Sequence, residues 1–74
     1  MKILITGAAG FIGGYLSKYC AVAGSSVLGI DIREPEEASA GASFEHCDVR
    51  DFTRLSEIVW MFRPERIFHL AAQS

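Results

Sequence analysis

Apolar positions along these 74 residues alternate between two periods, and the switches mark the elements. Residues 2–6 (KILIT) are a short, β-rich apolar run ending at Gly7, which predicts a buried strand covered on both faces. From Gly10 the spacing becomes helical. Ile12, Leu16, Cys20 and Ala23 fall on one stripe, Phe11, Tyr15 and Tyr19 widen it, and Lys18 lies opposite. Gly24 then predicts a left-handed stop.

The next apolar run, VLGIDI at 27–32, predicts a second buried strand, and SFEHC at 43–47 a short third one. Between them, the polar segment 33–42 contains Pro35 and Gly41 and predicts a loop with at most one helical turn. Asp51 or Thr53 can cap a second helix that turns Leu55, Ile58, Val59 and Phe62 inward and ends before Pro64. RIFHLAA, 66–72, predicts a fourth strand running into small residues.

The order β-α-β-β-α-β, without repeats, predicts an α/β fold with a parallel sheet and right-handed crossovers. Four such strands form the first half of a doubly wound (Rossmann) sheet in spatial order 3-2-1-4. Residues 1–74 are therefore expected to be one portion of a single nucleotide-binding domain.

Composition narrows the partners. Half of the residues are hydrophobic, and seven basic against nine acidic side chains leave a net charge of −2 without any basic stripe. That pattern argues against a nucleic-acid partner. No run approaches the roughly 20 apolar residues of a membrane span, and the N-terminal run is too short for a signal peptide. The chain is expected to be cytoplasmic, with Cys20 and Cys47 as buried free thiols. Cys20, His46, Cys47 and His69 lack the clustering that a metal site needs.

The sharpest chemistry lies in TGAAGFIG, residues 6–13. Gly7 suits the tight turn leaving the strand. Gly10 has no side chain to keep a pyrophosphate from the backbone, and Gly13 lets the helix pack closely. The amides at the helix start, around Phe11 and Ile12, are then free to meet phosphate oxygens, helped by the helix dipole. A glycine triplet alone is weak, but here a strand precedes it and an amphipathic helix follows.

Asp31 ends the second strand 18 residues after Gly13, near the offset of about 20 at which an acidic side chain meets a ribose. Its carboxylate would accept the ribose hydroxyls and repel a 2′-phosphate, favouring NAD, whereas Arg33 could compensate such a phosphate and admit NADP. A turn or helix cap is the structural alternative. Asp48 follows the third strand, and spacing leaves two roles open: an acceptor for an adenine amino group, or a cap for the helix near Asp51. His69 is expected to be a buried, hydrogen-bonded strand residue, and Trp60, Phe62 and Phe68 core and packing surface.

With these residues in place, TGAAGFIG, CDVRD and HLAAQS together resemble the N-terminal part of an extended short-chain dehydrogenase/reductase, of the NAD-dependent nucleotide-sugar epimerase/dehydratase family. The glycine stretch matches that family's T-G-x-x-G-F-I-G pattern rather than G-x-G-x-x-G, and the similarity runs the length of the chain. It implies that Asp48 and Val49 sit against adenine. It also implies that Ile32 and Arg33 flank the ribose carboxylate, and that Leu70, Ala71, Ala72 and Gln73 line the cofactor. IFHLAAQS is most similar to the branch of GDP-mannose 4,6-dehydratase and GDP-4-keto-6-deoxy-mannose reductase.

In that family a Ser/Thr and a Tyr-x-x-x-Lys pair carry out proton transfer. Tyr15 and Lys18 are one residue too close, and Tyr19 has Ala23 at the fourth position. The resemblance therefore implies the cofactor-binding portion of an enzyme acting on a nucleotide sugar by hydride transfer, a homodimer in its whole form, with no catalytic residue among these 74. Alone, the chain is expected not to turn over and to self-associate through its open sheet edge. The alternatives are a non-catalytic NAD(P)-binding or redox-sensing module, or an inactive fragment.

Overall fold

A computed structural model describes residues 1–35 and 41–71. The elements are β1 (Lys2–Thr6), α1 (Phe11–Val22), β2 (Ser26–Asp31), β3 (Ala42–His46), α2 (Phe52–Phe62) and β4 (Arg66–His69). The four strands form one parallel sheet in the order β3-β2-β1-β4, as the sequence predicts. The second and third strands shift by one residue, to start at Ser26 and Ala42, and the fourth ends at His69, before the small residues of the predicted run.

Period-2 alternation splits the central strands between two cores. Ile3, Ile5 and Val27 join Ala8 and Cys20 on the α1 side, while Leu4, Leu28 and Ile30 join Cys47 and Ile58 on the α2 side. Because both faces of β1 and β2 are covered, their sequences read as continuous apolar runs. α2 turns inward the residues that the spacing predicts: Ile58 is buried, and Leu55, Val59 and Phe62 pack against the same core.

α1 is rotated from its predicted stripe. Leu16 and Cys20 of that stripe do pack on the sheet side, joined by Gly13 and Ser17, whereas Phe11, Ile12, Tyr15 and Tyr19 are exposed and Ala23 is the exposed C-cap. The cause is Gly13. A Cβ there would overlap the Gly7 carbonyl oxygen and crowd the Ala8 Cα, so the helix approaches the turn along its smallest residues. That contact outweighs the burial of larger side chains and sets the rotation.

Helix ends follow their capping chemistry. Gly24 (φ 95°) closes α1, with its N–H on Ala21 O and the Ser25 N–H on Cys20 O, both at 3.0 Å, the paired bonds of a Schellman cap. Asp51 caps α2, its Oδ1 accepting the Arg54 N–H at 3.1 Å. Arg63 ends α2 in the left-handed region with its guanidinium 4.8 Å from the Trp60 ring centre. Trp60 and Phe68 are exposed, and of the three aromatics only Phe62 contributes to the core. Cys20 and Cys47 are buried free thiols.

Candidate functional site

The carboxyl ends of all four strands open on one cleft of about 530 Å³, the place where doubly wound sheets take their ligands. Gly7 and Gly10 form its floor at the β1–α1 turn, and Leu70 and Ala71 form the wall beyond β4. Gly7 has φ 73°, and a Cβ on it would stand 2.8 Å from the Ala71 nitrogen. Glycine is required there twice, by conformation and by the approach of the β4 exit.

Gly10 is the N-cap of α1 and offers no side-chain hydrogen bond; the first turn carries no acidic residue. The Gly14 N–H bonds back to Gly10 O at 2.9 Å. The amides of Phe11, Ile12 and Gly13 precede it and have no intrahelical acceptor by helix geometry. The exposed side chains of Phe11 and Ile12 lie outside the cleft and Gly13 is buried, so these residues can serve the site only through their backbone.

Asp31, at the end of β2, lies directly beside this turn. Its Oδ2 accepts the Ala9 N–H at 2.9 Å and its Oδ1 the Arg33 N–H at 3.1 Å. The turn-capping role is therefore real, yet a carboxylate offers about four lone-pair sites and two are taken. Capacity for further hydroxyl donors remains.

The stretch after β3 repeats this design: Asp31-Ile32-Arg33 is matched by Asp48-Val49-Arg50, and all six residues line the cleft. Asp48 Oδ1 accepts the Arg50 N–H at 2.9 Å, as Asp31 does from Arg33. Here the arginine side chain also folds back, with Nη2 2.8 Å from Oδ2 and Nε 3.1 Å from Oδ1. These side-chain bonds, then the backbone bond, hold the Asp48 carboxyl down to about 2. Asp48 does not cap α2, because Asp51 does. Cys47, beside it, donates its thiol to the Asp48 carbonyl at 3.4 Å, and burial pushes the thiol up, with the Asp51 charge adding to the effect. It is a neutral wall residue.

Buried Thr6 joins the two sides. Its Oγ1 accepts the N–H of Leu70 at 3.0 Å and of Ala71 at 3.3 Å, and lies 2.8 Å from His69 Nδ1. With both lone pairs used, the hydroxyl proton points at Nδ1, which assigns the neutral ring its proton on Nε2. His69 is thus hydrogen-bonded as expected but exposed rather than buried, because β4 is an edge strand exposed along its length.

The fold brings Gly7, Gly10, Asp31, Ile32, Arg33, Asp48, Val49, Leu70 and Ala71 to one cleft. Ala72 and Gln73 lie outside the described residues. Sequence reasoning missed Thr6, Cys47 and Arg50. The repeated Asp-x-Arg after two strands was the signal for Arg50; a threonine before the first glycine is ambiguous alone. Among the described residues no group of three metal-ligating side chains occurs, and no helix is long and apolar enough to cross a membrane.

The family described as NAD dependent epimerase/dehydratase matches residues 3–74. An uncharacterized epimerase/dehydratase of Staphylococcus saprophyticus is 47% identical over 75 residues, covering 96% of this chain and 23% of that protein. Among solved structures, UDP-glucose 4-epimerase of Thermotoga maritima with UDP-glucose superposes with a TM-score of 0.91 at 35% identity, over 100% of this chain and 25% of that one. The Thermus thermophilus UDP-glucose 4-epimerase complex with NAD gives 0.87 at 32%, over 100% and 25%. L-threonine dehydrogenase of Clostridium difficile gives 0.85 at 34%, over 99% and 24%. The chain spans about a quarter of the length of these relatives.

Proposed function

The chain belongs to the NAD dependent epimerase/dehydratase family, and from that premise we propose that residues 1–74 hold the adenosine and pyrophosphate of NAD for hydride transfer at a nucleotide sugar. The observation that carries this is the convergence of three features on one cleft: the α1 N-terminus without a side-chain cap, Asp31, and Asp48. Gly7, Gly10 and the amides of Phe11, Ile12 and Gly13 receive the pyrophosphate, where the positive end of the α1 dipole faces it. Asp31 takes the adenosine ribose hydroxyls, with Ile32 and Arg33 beside it. Asp48 accepts from the adenine amino group, with Val49 against the base. Leu70 and Ala71 form the opposite wall, continued by Ala72 and Gln73.

NAD, when bound, supplies the acceptor and donor of the hydride. The residues of this chain bind and orient it, and the proton-transfer set belongs to the rest of the protein. Asp31 disfavours a 2′-phosphate, so NAD is the preferred cofactor, and Arg33 supports residual NADP binding. UDP-glucose 4-epimerases among the similar structures favour a UDP-sugar substrate, and the alternative, a GDP-sugar, rests only on the resemblance of the IFHLAAQS stretch to the GDP-mannose branch. The exposed β4 edge, with Ile67 and Phe68, supports self-association of the isolated chain.

Calorimetric titration of NAD, NADP and ADP-ribose into the full-length protein tests the reading. NAD and ADP-ribose are expected to bind with similar affinity contributions from this cleft, and NADP more weakly. Affinities unchanged by both Asp31→Ala and Gly10→Val overturn it.

A further inference from the structure

The Asp48–Arg50 pair has a geometry that its surface position does not require. Arg50 is largely exposed, with 81% of its side chain accessible, and exposed ion pairs add little to folding. Yet this guanidinium gives Nε and Nη2 to the two carboxylate oxygens of a residue only two positions away, while its own N–H bonds to Oδ1. Such a fork fixes the plane of the carboxylate as well as its position. Both residues line the cleft.

We propose that Arg50 is a positioning residue for base recognition, clamping the Asp48 carboxylate in the plane that accepts an amino group at the purine 6-position. The inference rests on the proposed role of Asp48. A clamped, ionised carboxylate can only accept hydrogen bonds, so it discriminates a 6-amino purine from a 6-oxo purine, whose acceptor oxygen it repels. Asp31 needs no such clamp, because its second oxygen is fixed by the Ala9 amide of the β1–α1 turn. The Asp48 carboxylate receives no bond from another element among the described residues, and its own arginine fills that place.

The test compares NAD with nicotinamide hypoxanthine dinucleotide, titrated calorimetrically into the full-length protein and its Arg50→Gln, Arg50→Lys and Asp48→Asn variants. The native protein is expected to prefer NAD roughly tenfold, in keeping with one hydrogen bond to a charged acceptor in a half-exposed site. Arg50→Gln should lower that ratio several-fold, because the carboxylate stays ionised and loses only its fixed plane. Arg50→Lys, which keeps the charge and loses the fork, should fall between. A structural role alone would weaken both dinucleotides equally and leave the ratio unchanged, and that result in Arg50→Gln overturns the inference. If Asp48→Asn abolishes the preference while Arg50→Gln preserves it, the clamp is wrong and the Asp48 role stands. If the native protein binds both equally, both fail.

Discussion

Asp31 Oδ2 holds the backbone N–H of Ala9 at 2.9 Å, tying the end of β2 to the glycine turn that leaves β1. The same carboxylate that would take a ribose thus also shapes the floor on which the pyrophosphate would lie. Binding and loop geometry share one side chain.

Asp31→Ala should therefore weaken more than ribose contacts. The Ala9 amide loses a charged acceptor in a half-buried position, for a stability loss of about 1 kcal/mol. Asp31→Asn keeps an acceptor for Ala9 and removes the charge. Urea denaturation should show Asn close to native and Ala below it, while in titrations the NADP-to-NAD affinity ratio rises in both.

Three glycines separate conformation from space. Gly24 has φ 95° and nothing within 4 Å of a built Cβ, so Gly24→Ala should cost only the left-handed conformation, about 1–2 kcal/mol. Gly13 is helical, where alanine would otherwise gain about 1 kcal/mol. Its Cβ would meet the Gly7 carbonyl, a backbone atom that cannot step aside. The clash wins, and Gly13→Ala should destabilise by about 1–3 kcal/mol net. Gly7→Ala suffers both penalties and should be the most destabilised of the three. Denaturation midpoints that rank Gly13→Ala above native would show that the turn yields.

The contrast between Gly13 and α1 also explains which parts of the molecule were legible in the sequence. The sheet order, the α2 face and the Gly24 stop follow from local patterns: period 2, period 3.6 and a positive φ. The α1 face does not, because a steric contact with Gly7 overrides the larger side chains of Ile12 and Phe11. Asp31 was legible from its offset after the glycine turn, whereas spacing left Asp48 open between a cleft residue and a helix cap, and only the family resemblance decided between them. Thr6 was not legible, since its partners, the Leu70 and Ala71 amides, are defined only once the chain folds, and Arg50 was signalled only by the repeated Asp-x-Arg.

Thr6 gives a prediction about a buried hydroxyl. Thr6→Val keeps the volume and leaves the Ala71 amide without its acceptor and Leu70 with only the Thr6 carbonyl, at 3.1 Å. The loss should be about 1–3 kcal/mol, and Thr6→Ser should recover most of it. Nitrogen NMR of the native imidazole at neutral pH should find the proton of His69 on Nε2, and Thr6→Val should release that tautomer preference. A proton on Nδ1 in the native protein contradicts the bonding pattern around Oγ1.

Acid should act on Asp48 in a defined window. Its carboxyl is lowered from 3.8 to about 2, first by the Arg50 side-chain bonds and then by the Arg50 backbone bond. A depressed folded value means that the pair's contribution is complete above the ordinary carboxylate range and fades as pH falls through about 2. The pair is exposed, so the change belongs to the local turn and not to global unfolding. Carbon NMR of the Asp48 carboxyl in the native protein should show it ionised at pH 3. In Arg50→Gln the same carbon should titrate higher, toward the ordinary value, because the side-chain bonds are gone and only the backbone bond remains. High salt should narrow the difference between the two proteins, since an exposed pair is screened. An Asp48 carboxyl that titrates alike in both would mean that the Arg50 fork does not hold in solution, and the clamp in the cleft would lose its physical basis.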